Sequence, residues 1–361
     1  MIELHVWGHN SSISVISPEC LASSWLLNLQ LKPQNIPFKI VTSSNTNLSQ
    51  TDKLPLLLVP KDESTNDRYE GFQNISQYIS RNFNMEHTSG NDIKYLPNQN
   101  LTSAEQKLIN SSLTSFIENT IHNISQYNLY INTNNYEKYT RKLFQKFFPF
   151  PMMYNQPLKF YHAAQKQVQV IGLNSNNPGF FSISGSDAVA QTEYFNDEND
   201  DEESEGDPVA ISSLHEKQLL AKSKRKDLLK ESKNSLKCLN LVNEYIDYIV
   251  SLYKELNASN KPDEFSYLFP DTKDGSSNAV SSSELQLFAY IHSLCLPELP
   301  DKFIANYLTL KYPKFLAFIY DTTSKLNESL YKDKSIFREP QGIEVPNLWN
   351  ELKYSTGYVK Y

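Results

Sequence analysis

One segment decides the fold of the first part of this chain: Asp52-Lys53-Leu54-Pro55-Leu56-Leu57-Leu58-Val59. Its run of large apolar side chains predicts a buried strand. Pro55 fits the opening of that strand, where a missing N–H group is tolerated, and the Leu54-Pro55 bond is a candidate for the cis form. The segments on either side indicate which kind of sheet this strand joins.

The sequence before this segment shows a strand, a helix and a second strand. Residues 2–7 alternate apolar and polar side chains and stop at Gly8, which predicts a strand. Ser17 is a good N-cap, and Pro18 suits the first position of a helix. Residues 38–42 form the second strand pattern. A strand, helix and strand of this length predict two parallel strands joined by a right-handed crossover.

The sequence after the proline-led strand completes a small α/β unit. A short strand pattern at 68–71 is followed by apolar side chains at helical spacing. The order of elements is therefore βαβ followed by ββα. This is the order of a thioredoxin-like domain of the glutathione-transferase type, to which we assign residues 1–85.

The second part of the chain has helix signals and almost no strand signals. Capping-box patterns, which mark the starts of helices, occur at 102–105 and 281–284. We predict an all-α domain similar to the C-terminal domain of glutathione transferases, formed by residues 95–171 and 211–330. The expected fold class is therefore α/β followed by all-α.

Two further segments lie outside these domains. Residues 172–210 are rich in Gly, Ser and Asn, and they include nine acidic residues and no basic residue between Glu193 and Asp207. This composition predicts a disordered acidic insertion. Residues 335–361 are expected to form an irregular C-terminal tail.

The overall charge and the cysteine content argue against several classes of protein. The 34 Lys and Arg residues against 41 Asp and Glu residues give a net charge of −7, which argues against a nucleic-acid binder. Three scattered cysteines are too few for a disulfide framework or a zinc site. The sequence from Met1 has neither a secretory-signal pattern nor a presequence pattern. No window reaches the about 18 consecutive apolar residues of a spanning helix. We therefore expect any attachment to a membrane to come from a partner protein or from a surface of the folded chain.

The start of the first helix holds the side chains that a glutathione transferase would use. Such enzymes place a Tyr, Ser or Cys there to stabilise a thiolate, and a polar residue after the last strand to hold the glutamyl end of glutathione. Ser17 and Cys20 lie at the first position, but Ser17 suffices as an N-cap and Cys20 has no basic neighbour in sequence. Gly71-Phe72-Gln73-Asn74 replaces the usual acidic and serine pair at the second. We expect no catalytic or cofactor-binding residue, and a glutathione-dependent transferase or peroxidase using Ser17 or Cys20 stays the alternative.

Two histidines have the spacing of a metal-binding pair. His5 and His9 would share one face of a helix. On a strand that ends at Gly8 their side chains are about 13 Å apart instead. We therefore predict no metal site.

A lysine-rich stretch follows the acidic insertion. It would suit an acidic partner or anionic lipid headgroups, although such runs more often form a solvated helix face. The candidate partner-binding residues are Lys222, Lys224, Arg225, Lys226 and Lys230.

A predicted helix at 135–148 carries both aromatic and basic side chains and ends before Pro149 and Pro151. Taken alone, such a helix would suit a membrane surface, a nucleic acid or a protein core. Its place in an all-helical domain of an acidic protein favours the core. The expected core contacts are Tyr136, Tyr139, Leu143 and Phe147.

Three groups of segments together resemble the metaxins and their fungal counterpart in the mitochondrial sorting and assembly machinery, the SAM or TOB complex. The first group is Ser17-Pro18-Glu19-Cys20-Leu21-Ala22, Pro37-Phe38-Lys39-Ile40 and Lys53-Leu54-Pro55-Leu56. The second and most metaxin-specific group is Asn135-Tyr136, Thr140-Arg141-Lys142 and Pro149-Phe150-Pro151. The third group is Lys237-Cys238-Leu239-Asn240-Leu241, Tyr267-Leu268-Phe269 and 281–290.

The resemblance implies a transferase-like fold that acts as an adaptor without an enzymatic role or a cofactor. Metaxin-type subunits lie on the cytosolic face of the mitochondrial outer membrane, beside a second transferase-like subunit and a β-barrel core subunit. They support the insertion and release of β-barrel precursors and help to couple the machinery to the outer-membrane translocase and its receptor. The acidic insertion, the richness in Asn and Ser and the lack of an apolar C-terminal anchor suit a fungal version.

Overall fold

The structure is a computed structural model that describes residues 1–61, 66–83, 93–101, 103–173, 213–256, 265–269 and 279–356. Within these ranges the protein is a mixed α/β structure, mostly helical, with a small central sheet. The predicted acidic insertion at 172–210 lies outside the described residues except for its first two positions.

The strands of the described ranges are β1 (Ile2–His5), β2 (Gly8–His9), β3 (Ser12–Ile13), β4 (Phe38–Val41), β5 (Leu56–Pro60), β6 (Asn66–Glu70), β7 (Lys94–Leu96), β8 (Ala279–Ser281) and β9 (Phe337–Arg338). Five of these described strands form the central sheet, in the order β6-β5-β1-β4-β9. β1 is parallel to β4 and antiparallel to β5, and β5 is antiparallel to β6. The parallel pairing of β1 and β4 confirms the predicted strand, helix and strand unit. The Leu54-Pro55 bond before β5 is cis, as the sequence suggests.

The helices of the described ranges are α1 (Pro18–Gln30), α2 (Gly71–Asn82), α3 (Ala104–Asn119), α4 (Ile121–Gln126), α5 (Thr133–Asn135), α6 (Arg141–Phe147), α7 (Met152–Val170), α8 (Ser213–Leu256), α9 (Ser282–Leu294), α10 (Phe303–Lys311), α11 (Pro313–Tyr331) and α12 (Leu348–Ser355). Single 3-10 turns lie at Thr46–Leu48, Asn98–Asn100, Lys334–Ile336 and Gly342–Glu344, and π-helical segments lie at Tyr127–Ile131 and Tyr136–Thr140. α10 and α11 are separate helices, because Pro313 begins a new helix.

α1 lies at the centre of the molecule and connects the sheet to the helical part. All but one of its residues are buried. Its Trp25 Nε1 donates a hydrogen bond to Asn327 Oδ1 of α11 at 3.0 Å, and its Asn28 Nδ2 donates to Ser329 Oγ at 2.9 Å. Buried polar groups satisfied in this way fix the two parts of the chain against each other.

The aromatic segment predicted as one helix is built from α5, the π-helical segment at 136–140 and α6. Its core assignment is confirmed, since Tyr136 and Phe147 are buried, and Tyr139 and Leu143 are partly buried against the core. Side chains of this region surround Trp7, which follows β1. Ring centroids lie 5.3 to 5.9 Å from that of Trp7 for Phe144, Phe147, Phe148 and Phe160. Such edge-on aromatic packing joins the sheet to the helical part.

Two short strands, β7 and β8, occur in the part of the chain where the sequence shows almost no strand signals, and this corrects the prediction of an all-α second part. β7 pairs in parallel with β8, with Tyr95 opposite Val280. Each of these strands has three residues, which is too short for an alternating pattern to be recognised.

The irregular tail expected from residue 335 also needs correction. Phe337 and Arg338 pair in parallel with β4 as the edge strand of the central sheet, and residues 348–355 form α12. Arg338 fixes this segment, because its guanidinium donates to both carboxylate oxygens of Glu344 at 2.9 Å and lies 3.1 Å from Glu3 of β1. The tail is therefore attached to the first domain.

The two predicted capping boxes are present, one of them displaced by a residue. The first box pairs Ser103 with Gln106. The second pairs Ser281 with Glu284, as predicted. Glu284 is fully buried and also accepts hydrogen bonds from the N–H of Leu268 at 2.7 Å and from Tyr253 Oη at 3.2 Å. Burial raises the pKa of Glu284 to about 7, against the opposing effect of these hydrogen bonds.

Candidate functional site

The start of α1, the turn at Pro55 and the start of α2 meet beside the helical part, where the sequence places its candidate catalytic residues. Ser17 stands at the N-cap position of α1, but its side chain makes no capping hydrogen bond, which corrects its sequence interpretation. The Ser17 hydroxyl instead donates to the carbonyl of Leu54 at 3.5 Å. Its direct contact is therefore with the chain's own backbone.

Cys20 lies in the first turn of α1, and its side chain packs against the segment that follows β1. Its side chain is fully buried, and the N–H of Trp7 donates to Sγ at 3.5 Å. Burial raises the pKa of the thiol to about 12, although the hydrogen bond from the Trp7 N–H opposes this shift. A thiol with this pKa is protonated at neutral pH and is a poor nucleophile.

Glu19 lies in the first turn of α1, and its side chain reaches the start of α2. The backbone N–H of Phe72, at the start of α2, donates to its carboxylate. Tyr290 of α9 donates through Oη to Glu19 Oε1 at 3.2 Å. Burial raises the pKa of Glu19, while these two hydrogen bonds and the charge of Lys53 act in the opposite direction.

The hydrogen bonds continue from Tyr290 into the helical part. His122 Nδ1 lies 2.8 Å from Tyr290 Oη, and because the tyrosine O–H is given to Glu19, the imidazole must be the donor. Burial lowers the pKa of His122 to about 4, so the ring is neutral at pH 7. Nearby, Glu118 accepts from Gln73 Nε2 at 2.6 Å and from Gln286 Nε2 at 3.3 Å.

This arrangement uses the groups that would receive the glutamyl end of glutathione. The N–H of Phe72 is at the start of the helix after the last strand, and it already binds the carboxylate of Glu19. Gln73, the next polar side chain, already binds Glu118. A free carboxylate ligand would have to displace both interactions and leave a partly buried Glu19 without its donors, which is unfavourable.

Sequence reasoning missed this network. The sequence shows Glu19 only as an acidic residue in the first turn of the first helix. Tyr290 and His122 cannot be recognised as members of this network from the sequence, because Tyr290 is 271 positions from Glu19 and 168 positions from His122.

A second cluster of polar side chains lies on the sheet. His5 is fully buried, and its Nε2 is 3.8 Å from Glu344 Oε1. Glu3, His5 and Glu344 are close enough for a metal ion, but the guanidinium of Arg338 already bridges the two carboxylates. Burial lowers the pKa of His5 to about 4. We assign this cluster to the attachment of the C-terminal segment.

The candidate partner-binding residues lie along the first half of α8, which has 44 residues. The side chain of Arg225 is exposed, and that of Lys230 is partly buried. The side chains of Lys222, Lys224 and Lys226 are outside the described part of the structure. None of these basic residues is brought to the Glu19 network by the observed contacts of the described side chains.

Over the described ranges, no helix combines the length and the apolar character that crossing a bilayer requires.

Comparison with known proteins gives matches to most of the chain. Residues 20–161 match the family of Tom37, the outer mitochondrial membrane transport complex protein, and residues 195–359 match the Tom37 C-terminal domain. A metaxin-1 homologue of Drosophila melanogaster is 25% identical over 168 residues, which is 46% of this chain and 45% of the fly protein. The aligned part is thus less than half of that relative. The two family matches together cover most of the chain and show that it belongs to the metaxin and Tom37 family of outer mitochondrial membrane transport complex proteins.

Proposed function

We propose that this chain is a non-enzymatic adaptor subunit of the mitochondrial sorting and assembly machinery. The family acts in an outer mitochondrial membrane transport complex. Within that complex, we assign this chain to the cytosolic face, where it supports the insertion, folding and release of β-barrel precursors. Its proposed partners are the β-barrel core subunit, a second transferase-like subunit, the precursors and the receptor of the outer-membrane translocase.

The fold that we propose is a thioredoxin-like domain followed by a glutathione-transferase C-terminal-like helical domain, in the residue ranges given by the sequence. Three observations support it. β1, β4, β5 and β6 have the expected order and directions. A cis proline precedes β5. Helix α1 contacts α9, which begins with the Ser281–Glu284 capping box.

One observation carries the adaptor role: the Glu19 carboxylate accepts hydrogen bonds from Tyr290 and from the N–H of Phe72 where a transferase would bind its substrate. The Tyr290–Glu19 hydrogen bond also joins α9 to α1. The position that would bind substrate in a transferase is therefore a structural contact between the two proposed domains. This disfavours the alternative of a glutathione-dependent transferase or peroxidase. That activity would also need a thiolate at Cys20 or an accessible Ser17, whereas the pKa of Cys20 is raised to about 12 by burial.

The basic face of α8 is the proposed contact for an acidic translocase receptor. A helix of 44 residues is about 66 Å long. Leu229 and Leu236 are 65% and 63% exposed, and they lie seven positions apart on one side of α8. Exposed leucines beside Arg225 and its neighbouring lysines offer both apolar area and positive charge, a combination typical of protein interfaces.

Affinity purification of the tagged chain from solubilised mitochondria tests the adaptor role. We expect the β-barrel core subunit and the second transferase-like subunit to copurify, and a Cys20→Ala variant to recover them equally well. The proposal fails if neither subunit is recovered and the purified chain conjugates glutathione in a reaction lost on Cys20→Ala or Ser17→Ala.

The receptor contact is tested in the same purification with Lys222, Arg225 and Lys226 changed to Glu. We expect the translocase receptor to be lost while the β-barrel core subunit is retained, and the wild-type contact to weaken as salt is added. Unchanged recovery of the receptor at every salt concentration would exclude this face.

A further inference from the structure

α12 turns Asn350 and Glu351 towards the protein and three apolar side chains towards solvent. Leu348, Trp349 and Leu352 are 57%, 65% and 52% exposed. Asn350, on the opposite side, is 6% exposed. Amphipathic helices on globular domains normally have the reverse arrangement. The outer face of α12 is therefore an apolar surface of a folded element that the described protein does not cover.

The orientation of α12 is fixed by hydrogen bonds. Asn350 Nδ2 donates to the carbonyls of Val345 at 2.9 Å and Gly342 at 3.2 Å. Glu351 accepts from Asn47 Nδ2 at 2.6 Å and from Gln156 Nε2 at 3.1 Å. Rotating the helix to bury its leucines would break these bonds and leave the buried amide of Asn350 without its acceptors, which is unfavourable.

A basic side chain borders this face. Lys353 Nζ lies 5.7 Å from the ring of Trp349, at the edge of the apolar surface. The one acidic residue of α12, Glu351, is on the protein side and is bound by two amides. The sequence from 352 to 361 contains two lysines, three tyrosines and no acidic residue.

We propose that α12 lies flat on an anionic lipid surface. Leu348, Trp349 and Leu352 enter the boundary between headgroups and acyl chains, and Lys353 contacts lipid phosphates. Tryptophan and tyrosine favour this boundary because one part of each ring system is apolar and another forms hydrogen bonds. A helix with Leu and Trp on one side and Lys at its edge has the pattern of an interfacial helix.

An anionic membrane fits these features better than a protein partner does. A protein surface that covered Leu348 and Leu352 would need no basic side chain beside Trp349, whereas anionic lipids attract a basic residue at such an edge. The family is also described by its place at the outer mitochondrial membrane. Vesicle binding by the isolated chain does not depend on the adaptor role, so the two proposals succeed or fail separately.

Flotation of the purified full chain with vesicles tests this proposal. We expect the chain to float with phosphatidylcholine vesicles that contain phosphatidylserine, and to float less without phosphatidylserine or in high salt. The variant Leu348→Ser/Trp349→Ser/Leu352→Ser should bind these vesicles at least about tenfold more weakly, because its apolar face is gone. A matched control, Leu108→Ser/Leu310→Ser, removes two side chains that are 66% and 84% exposed elsewhere on the surface and should bind normally.

Tryptophan fluorescence gives an independent reading of the same contact. The chain has three tryptophans, all in the described ranges, and Trp7 and Trp25 are 5% and 0% exposed. A blue shift on addition of anionic vesicles therefore reports Trp349. The proposal is overturned if the folded chain shows no shift and no flotation, if the triple variant binds as well as wild type, or if the control loses binding equally. A shift that requires a partner protein in place of vesicles would also overturn it.

Discussion

Tyr290 Oη donates a hydrogen bond to Glu19 Oε1 at 3.2 Å, and these residues are 271 positions apart. Glu19 belongs to the first turn of α1, and Tyr290 belongs to α9 in the helical part. The bond therefore closes the contact between the α/β unit and the helices, at the position where a glutathione transferase would bind its substrate. Its partners on both sides are buried, so its loss should be measurable.

We expect Tyr290→Phe to lower the free energy of unfolding by about 1–3 kcal/mol, because Glu19 loses a donor and His122 loses its acceptor. The measurement is denaturant unfolding at pH 7. Tyr248→Phe is the matched control, since Tyr248 is 56% exposed and its loss should change stability by less than about 0.5 kcal/mol. Equal losses of unfolding free energy for the two variants would show that the Tyr290–Glu19 contact does not stabilise the fold.

Thiol reactivity tests the closed state of the candidate catalytic position. Cys20, Cys238 and Cys295, all within the described ranges, are free and buried, and burial raises the pKa of Cys20 to about 12. We expect Ellman's reagent to react with no thiol in the native chain at pH 7.5 and with three after unfolding. One fast-reacting thiol in the native chain, lost on Cys20→Ser, would restore the catalytic alternative.

The aromatic contacts around Trp7 should contribute strongly to stability. Phe144 is fully buried and packs 5.8 Å from Trp7 and 5.5 Å from Phe160. We expect Phe144→Ala to cost about 3–5 kcal/mol, because it leaves a cavity between the two parts of the chain. Leu310→Ala, at a position 84% exposed, should cost less than about 0.5 kcal/mol in the same unfolding experiment. A small effect at Phe144 would contradict the proposed packing.

Glu284 should make stability depend on pH. Burial raises its pKa from 4.5 to about 7 in the folded chain, so between these values the folded state holds a proton that the unfolded state has released. The stabilisation is fully present below pH 4.5 and is lost as the pH rises through 7, by up to about 3 kcal/mol.

Unfolding of wild type and of Glu284→Gln from pH 5 to pH 8 measures this effect. We expect the variant to be less stable at each pH, because its amide nitrogen replaces the carboxylate oxygen that accepts from the Ser281 N–H, and an amide nitrogen cannot accept a hydrogen bond. We expect the difference between the two proteins to shrink as the pH rises. Parallel pH profiles would show that Glu284 does not titrate in this range.

Much of the fold could be predicted because local patterns determine it. The strands around Pro55, the starts of α1 and α9 and the core face at 136–147 follow from alternation, capping residues and helical spacing. The three-residue strands β7 and β8 could not be predicted, because their pairing depends on tertiary contact. The alternation of residues 2–7 groups Trp7 with polar side chains, yet Trp7 is buried because the helical part covers it.

The candidate site was less predictable than the fold. Sequence singled out Ser17 and Cys20, and the structure brings both to the expected place. It could not show that Glu19 binds Tyr290 and the N–H of Phe72, because charged residues at helix starts are usually explained by the helix dipole alone. The orientation of α12 could not be predicted either, since it depends on the carbonyls that accept from Asn350 and on the amides of Asn47 and Gln156 that donate to Glu351.

The assembly of porin in mitochondrial outer membranes that lack this chain tests the central claim most directly. Labelled porin precursor is added, and the rates of its insertion and of its release from the assembly machinery are followed over time. The adaptor role predicts slow insertion or release, restored by the wild-type chain and equally by Cys20→Ala. Normal rates of both steps in the absence of the chain would contradict it.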